Sequence, residues 1–143
     1  MTHEIEAKEI AEHGFAALSR RDLDGVLEVL DPEVELVPLL TGPDDRIYHG
    51  HEGARRWLEE IWAAWEGYRV NLRWLREVDD RTAVIEFIGK LRRHNSEIEF
   101  ETVAYGVMER AHDPARITSW RFFATEREAF AAAQASPAGE RAS

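Results

Sequence analysis

Two side chains able to take part in proton transfer or charge stabilisation lie in segments that alternate between apolar and polar residues. Tyr105 has the parity of Val103 and Val107, so it either fills the interior of a sheet-based fold or lines a pocket with its hydroxyl. Arg121 lies in a second alternating segment, where an ion-paired structural arginine is more common than a catalytic one. Acid–base chemistry on a small molecule needs such groups on a pocket wall, so their role depends on where a hollow forms.

Three further ionisable residues have two interpretations each. Glu86 alternates with Val84 and Ile88, so it faces either a cavity or a sheet edge or dimer interface. His49 precedes a predicted helix and lies either in solvent or at a pocket mouth. His13 lies on a predicted helix, where partial exposure is the plainer interpretation and a place facing the cavity is the alternative.

No pattern typical of a metal or phosphate site occurs. His49 and His51 flank a glycine, but no third histidine or carboxylate stands at a recognised ligand spacing. The chain has no cysteine, which excludes thiolate ligands and disulfides. It also lacks a glycine-rich phosphate loop and a nucleophile elbow. We therefore expect neither a metal nor a cofactor.

Four successive strands are predicted in the second half of the chain. The first of them has the period-two alternation of a half-buried strand. Short polar segments separate the strands, which predicts antiparallel hairpins. The predicted strands are residues 69–78, 82–93, 97–110 and 116–124.

Helices are predicted before and after these strands from apolar residues at helical spacing. Asp22 is a suitable N-cap, and Thr125 with Glu128 forms a capping-box pattern. Residues 33–38 alternate and predict a further short strand, and residues 41–46 predict a polar loop. The predicted helices are residues 3–19, 23–30, 52–66 and 126–134.

Two of these helices carry residues that bear on a pocket. Gly14 weakens the first helix by about 1 kcal/mol relative to alanine, which suggests close packing or a wall that stays open. Trp57, Trp62 and Trp65 give the third helix a broad aromatic face. That face is either core packed on the sheet or partly the lining of a ligand site, and both interpretations can apply to different tryptophans.

The size and charge of the chain limit its classes of partner. A length of 143 residues suits one domain with a real core. The formal net charge of −10 disfavours nucleic acid and anionic membranes. The charged start and the lack of any apolar run of about 20 residues predict a cytoplasmic protein. We expect a single domain over residues 1–135 and a frayed tail over residues 136–143.

The order helix, helix, strand, helix and four strands resembles the SnoaL-like branch of the nuclear transport factor 2-like superfamily. The resemblance lies in RDLDGVLEVLDPEVELVP (21–38), YHGHEG (48–53) and ARITSWRFFATEREAFAAA (115–133). It implies an α+β cone of three to four helices packed on a strongly curved, mostly antiparallel sheet with cystatin-like topology, an apolar pocket and a homodimer. Its members include polyketide cyclases, ketosteroid isomerases, epoxide hydrolases, dehydratases and binding modules, so the fold does not decide the function.

The residues match these chemistries unequally. The position that resembles the isomerase base falls at Leu36 or Val37, neither of which can take a proton. The two hydrogen-bond donor positions fall at about Gly14 and Tyr105, so only one donor is kept, and this argues against the isomerase reaction. An epoxide-hydrolase-like site needs two carboxylates around one arginine, which the sequence does not place around Arg121.

A SnoaL-like cyclase needs only one acid or base on the wall of a large apolar pocket. By this resemblance the candidate catalytic residues are Tyr105, Glu101, His49 and Arg121. The candidate ligand-binding residues are Tyr105, Trp74, Trp120, Phe15, His13 and Tyr48.

Two functions of different class follow. One is a protein that binds a small apolar molecule, with acid–base chemistry of cyclase, isomerase or hydrolase type as an extension. The other is a non-catalytic binding or assembly module. A homodimer is expected because apolar residues are left on the sheet face away from the helices. These residues are Ile85, Phe87, Leu91, Ile98 and Phe100.

Overall fold

The computed structural model describes residues 2–38, 47–112 and 115–135. The predicted loop over residues 41–46 and the predicted frayed tail lie outside them. Within the described residues the helices are α1 (Thr2–Arg20), α2 (Leu23–Val29), α3 (Gly50–Ala64) and α4 (Glu126–Gln134). The strands are β1 (Leu30–Val37), β2 (Tyr48–His49), β3 (Gly67–Glu77), β4 (Thr82–Arg92), β5 (Glu99–His112) and β6 (Ala115–Phe123).

The six strands form one curved, unclosed sheet in the order β2-β1-β6-β5-β4-β3. β3, β4, β5 and β6 pair antiparallel in succession, as their short connections predict. β1 joins β6 as the one parallel pair of the described sheet. The predicted α+β class with a mostly antiparallel sheet is therefore confirmed. β2 has no counterpart among the predicted strands, because a strand of two residues is too short to show alternation.

Helices cover both faces of the sheet. α1 and α3 pack on the concave face around Phe15, whose ring centre lies 5.1 Å from that of Phe87 and 5.4 Å from that of Trp120. α4 packs on the opposite face, where Phe130 stacks on Trp74 at 6.1 Å. The predicted N-caps are confirmed, since Asp22 accepts from the Gly25 N–H and Thr125 from the Glu128 N–H. A second, smaller core thus lies beneath α4.

Three of the five apolar residues expected on the sheet face away from the helices lie instead on the concave face, which α1 and α3 cover. Ile85 is fully buried in the main core, and Phe87 and Leu91 face the concave side. Ile98 and Phe100 are the two of the five that are exposed. The homodimer stays a prediction. The exposed apolar surface that supports it is smaller than the sequence suggests, because only two of the five residues are exposed. No helix in the described part of the chain is long and apolar enough to cross a membrane.

Two glycines on the concave side differ in the space around them. A methyl group on Gly14 of α1 would lie 3.5 Å from Val29 and 3.7 Å from Trp120, which is ordinary van der Waals contact. A methyl group on Gly106 of β5 would lie 2.9 Å from the indole nitrogen of Trp120 and 3.2 Å from Ile85. The Trp120 side chain is buried and stacked on Phe122, so it has little room to move.

We therefore expect opposite effects from the same substitution at these two sites. Gly14→Ala should raise the free energy of unfolding by about 0.5–1 kcal/mol, because alanine favours the helix. Gly106→Ala should lower it by about 1–3 kcal/mol, because the methyl group overpacks the core. Urea unfolding followed by tryptophan fluorescence measures both. Destabilisation of equal size at both sites would contradict the packing described for Gly14.

Candidate ligand-binding site

A cavity of about 320 Å³ opens between the concave face of the sheet and helices α1 and α3. This volume is near the lower end of the range for small-molecule sites, which is roughly 300–1,000 Å³. Its described lining is almost entirely apolar. The lining residues are Phe15, Leu18, Pro38, Trp57, Ile61, Trp65, Tyr68, Val70, Phe87, Gly89, Leu91, Thr102, Ala104 and Phe122.

Small residues in the middle of the sheet leave room for this cavity. Gly89 on β4 pairs with Val70 on β3 and with Thr102 on β5. A methyl group at Gly89 would touch Thr102 at 3.5 Å and Val70 at 3.6 Å. Ala104, two residues after Thr102 on the same face of β5, is another small residue of the lining. Any longer side chain at Gly89 would have to extend into the cavity.

The aromatic face of α3 is shared between the cavity and the core. Trp57, Ile61 and Trp65 fall at i, i+4 and i+8 and line the cavity together. Trp62 is turned aside, and its indole N–H donates to the carbonyl of Leu18 at 3.2 Å. The aromatic face is therefore divided, with Trp57 and Trp65 at the cavity and Trp62 bonded to the end of α1.

Tyr68 supplies a polar group to this apolar wall. Its hydroxyl makes no hydrogen bond with any residue that the structure describes. Burial raises the pKa of Tyr68 to about 12, so near neutral pH the hydroxyl is protonated and can donate. Tyr68 is not among the residues predicted from the sequence, because the predicted strand begins at Arg69. Its parity with Val70 and Leu72, on the apolar face of that strand, is the signal that identifies it.

The described lining contains no carboxylate, histidine, lysine or arginine. A ligand in this cavity therefore meets apolar surface and the hydroxyls of Tyr68 and Thr102. Such a wall can orient a molecule and polarise a carbonyl by a hydrogen bond. It offers no group whose pKa suits a general base near neutral pH.

Of the predicted ligand-binding residues, Phe15 lines the cavity. Trp120 lies behind it, 1% exposed, with its ring edge against Phe15 and its face on Phe122. The expected placement of Tyr105 is corrected: Ala104 and Gly106 face the concave side, so Tyr105 between them points to the opposite face. Tyr105 and Val107 do lie on the same face of β5, as their alternation predicts. That face packs beneath α4 and not against the cavity.

The other candidates on β3, β4 and β5 also lie on that opposite face. Tyr105 is hydrogen-bonded to Glu86, and this bond raises the pKa of Tyr105. Glu86 also pairs with Arg73 at 3.3 Å. Trp74 packs between Tyr105 and Phe130 rather than in the cavity, because β3 is irregular between Leu72 and Trp74. Glu101 is exposed.

The remaining candidates are not brought to the cavity either. Arg121 pairs with Glu109 at 3.5 Å, which fits the structural interpretation of that arginine. Tyr48 is buried and its hydroxyl bonds to Glu60. His13 lies at the surface 3.8 Å from Glu28. His49 is exposed at the start of α3. Most residues predicted from the sequence to form one site therefore lie apart from one another, and only Phe15 lines the cavity.

A buried ionic cluster lies apart from the cavity. The guanidinium of Arg110 is fully buried and contacts Glu6 at 3.2 Å and Glu77 at 3.4 Å. His112 donates from Nδ1 to Glu6 at 3.0 Å. None of these residues lines the cavity. Among the described residues no group of histidine and carboxylate side chains is arranged to hold a metal ion.

The sequence matches a known protein family. A family model described as SnoaL-like domain matches residues 11–120. The chain belongs to the SnoaL-like domain family. Comparison of this SnoaL-like protein with curated proteins finds no match.

Solved structures share the fold of this SnoaL-like protein. TerC, co-crystallised with polyporic acid, is 18% identical with a TM-score of 0.72, over 92% of this chain and 99% of TerC. An LEH-like epoxide hydrolase from M. tuberculosis is 19% identical with a TM-score of 0.67, over 92% of each chain. A protein of ketosteroid isomerase-like fold from Catenulispora acidiphila, in complex with trimethylamine, is 15% identical with a TM-score of 0.71, over 88% of this chain and 92% of that one. At these identities the likeness shows the fold.

The ionic cluster gives a prediction for the pH dependence of stability. The hydrogen bond from His112, and then the contacts with Arg110, hold the pKa of Glu6 below its ordinary value of 4.5 against the opposing effect of burial. A lowered folded-state pKa stabilises the protein above the unfolded-state value, and this stability is lost as the pH falls through the folded-state value. Glu6→Gln should therefore destabilise the protein at about pH 7 and lose most of that effect at about pH 3.

Urea unfolding at both pH values measures this difference. Glu9→Gln is the matched control, because Glu9 is an exposed residue of the same helix and should change stability by less than about 0.5 kcal/mol. A difference between wild type and Glu6→Gln that does not change with pH would show that the ionised carboxylate of Glu6 contributes nothing.

Proposed function

We propose that this protein binds a small, largely apolar molecule in the cavity and anchors it through the Tyr68 hydroxyl. The observation that carries the proposal is an open apolar hollow with the Tyr68 hydroxyl on its wall, where it makes no hydrogen bond to a described residue. A ligand carbonyl or hydroxyl that accepts a hydrogen bond from Tyr68 would be held in one orientation, and this bond would contribute about 0.5–1.5 kcal/mol to binding. The apolar lining supplies the remaining affinity by excluding water.

The family supports binding as the use of this hollow. TerC was crystallised with polyporic acid and the Catenulispora acidiphila protein with trimethylamine. These ligands differ in size and chemistry, so the fold admits small molecules without specifying which one. An assembly module without a ligand would be favoured by a cone filled with its own aromatic side chains. The 320 Å³ hollow favours a binding protein instead.

The proposal limits the chemistry that can accompany binding. Tyr68 can donate to a carbonyl and stabilise negative charge that develops on its oxygen. Cyclase, isomerase or hydrolase chemistry would also need a base, and the described lining offers none. Binding with polarisation is therefore the function that these residues support best.

Removing the Tyr68 hydroxyl tests the anchor. Ligands are first found by thermal shift with a library of small aromatic and alicyclic ketones and alcohols. Tyr68→Phe should then weaken their binding by about 0.5–1.5 kcal/mol, roughly 2- to 13-fold, because one neutral hydrogen bond is lost. Calorimetry on the purified proteins measures the change. Tyr105→Phe is the matched control on the opposite face, and its affinity should equal that of wild type. An equal loss in both variants, or no loss in Tyr68→Phe, would remove Tyr68 from the site.

Filling the cavity tests whether ligands bind there at all. Gly89→Leu should abolish binding, because its side chain would occupy the space between Val70 and Thr102. Ile88→Leu is the control, since it places a leucine at the adjacent position on the other face of β4. Circular dichroism and urea unfolding check that both variants fold. Unchanged affinity in a folded Gly89→Leu variant would place the ligand elsewhere.

A further inference from the structure

Arg93 immediately follows the last residue of β4 and stacks on Trp65, which is one of the residues that line the cavity. Its guanidinium carbon lies 5.8 Å from the ring centre of Trp65 and 5.8 Å from that of Phe100. Trp65 lines the cavity, and Phe100 is paired across the sheet with Leu91, which also lines it. Planar guanidinium groups stack favourably on aromatic faces. The two rings therefore hold a cation beside the opening.

The carboxylates that immediately follow Trp65 and immediately precede Phe100 in sequence are paired with other arginines. Glu66 contacts Arg92 at 3.0 Å, and Glu99 contacts Arg69 at 3.7 Å. Arg93 makes no ion pair or hydrogen bond of its side chain within the part of the chain that the structure describes. In a protein with a formal net charge of −10, this cation beside an apolar cavity is available to an anion from outside.

Tyr68 lies near the same end of the cavity. It pairs with Leu91 on β4, two residues before Arg93. A rise of about 3.3 Å per strand residue separates neighbouring positions of one face by about 7 Å. A polar group of a ligand at the mouth would thus be close to both a hydroxyl donor and a guanidinium, while the deeper wall around Phe87 and Phe122 is apolar.

We infer that the ligand of this cavity is an amphipathic anion, with an apolar body inside and a carboxylate paired with Arg93 at the mouth. The inference rests on the proposed function and names the chemical class of its ligand. The cavity of about 320 Å³ equals about ten water volumes of roughly 30 Å³ each. A body of one or two fused rings fits this space.

Arg76 provides a matched comparison on the other face of the sheet. Its guanidinium carbon lies 5.3 Å from the ring centre of Trp74 and 5.5 Å from that of Phe130. The stacking of Arg76 on two rings thus resembles that of Arg93, but neither of its rings lines the cavity. Replacing either arginine removes one positive charge and one stacked guanidinium.

The test compares two ligands of nearly equal shape, 2-naphthoate and the neutral 2-naphthamide, by calorimetry at low and high salt. Wild type should bind the carboxylate about 3- to 10-fold more tightly than the amide, as expected for a partly exposed charge pair, and this preference should shrink in high salt. Arg93→Gln should lose the preference by weakening only the carboxylate. Arg93→Lys should keep part of it, and Arg76→Gln should keep all of it.

The outcomes separate this inference from the proposed function. Binding of the amide as tight as that of the carboxylate in wild type would overturn the anionic ligand and leave the apolar cavity as a binding site. Equal weakening of both probes in Arg93→Gln would also overturn it, because Arg93 would then be a structural part of the rim. Binding of neither probe by wild type would count against the cavity as a binding site and so overturn both.

Discussion

The end of α1 is tied to β3 and α3 by hydrogen bonds on which the shape of the cavity depends. Ser19 donates to the carbonyl of Val70 at 3.1 Å and accepts its N–H at 3.0 Å, which covers the outer edge of β3. Arg21 donates to the carbonyls of Trp62, Trp65 and Glu66 at 2.7, 2.6 and 2.9 Å. These hydrogen bonds therefore fix the relative positions of Leu18, Trp65 and Val70, which line the cavity from α1, the end of α3 and β3.

This junction carries a local conformational cost. Arg21 has a φ of 58°, in the left-handed region that costs a residue with a side chain roughly 1–2 kcal/mol. The N–H groups of Arg21 and Asp22 bond back to Leu18 and Ala17 at 3.2 and 2.9 Å, the usual pattern at such a helix end. The charge of Arg21 at the C-terminus of α3 offsets part of the cost. A glycine would relieve the strain but would leave the carbonyls of α3 without this donor.

The fold was predictable because its signals are local. Alternation over β3, the capping residues Asp22 and Thr125, and the short connections between strands all act within a few residues along the chain. These signals indicate the α+β class and place the boundaries of the predicted elements to within about two residues, apart from the start of β1, which lies at Leu30 rather than at residue 33. The parallel pairing of β1 with β6 joins distant parts of the chain, and no local pattern specifies it.

The sequence by itself determined that the strands have two distinct faces, and it grouped Tyr105 with Val107. Only the tertiary structure decided which face borders the cavity, because α4 buries apolar residues on the outer face as α1 and α3 do on the inner one. Alternation indicates that a strand face is buried, but it does not indicate which helix covers that face. Tyr105 therefore lies under α4 and beside Glu86, while Tyr68 lies on the cavity wall and Arg93 stacks on Trp65 beside it.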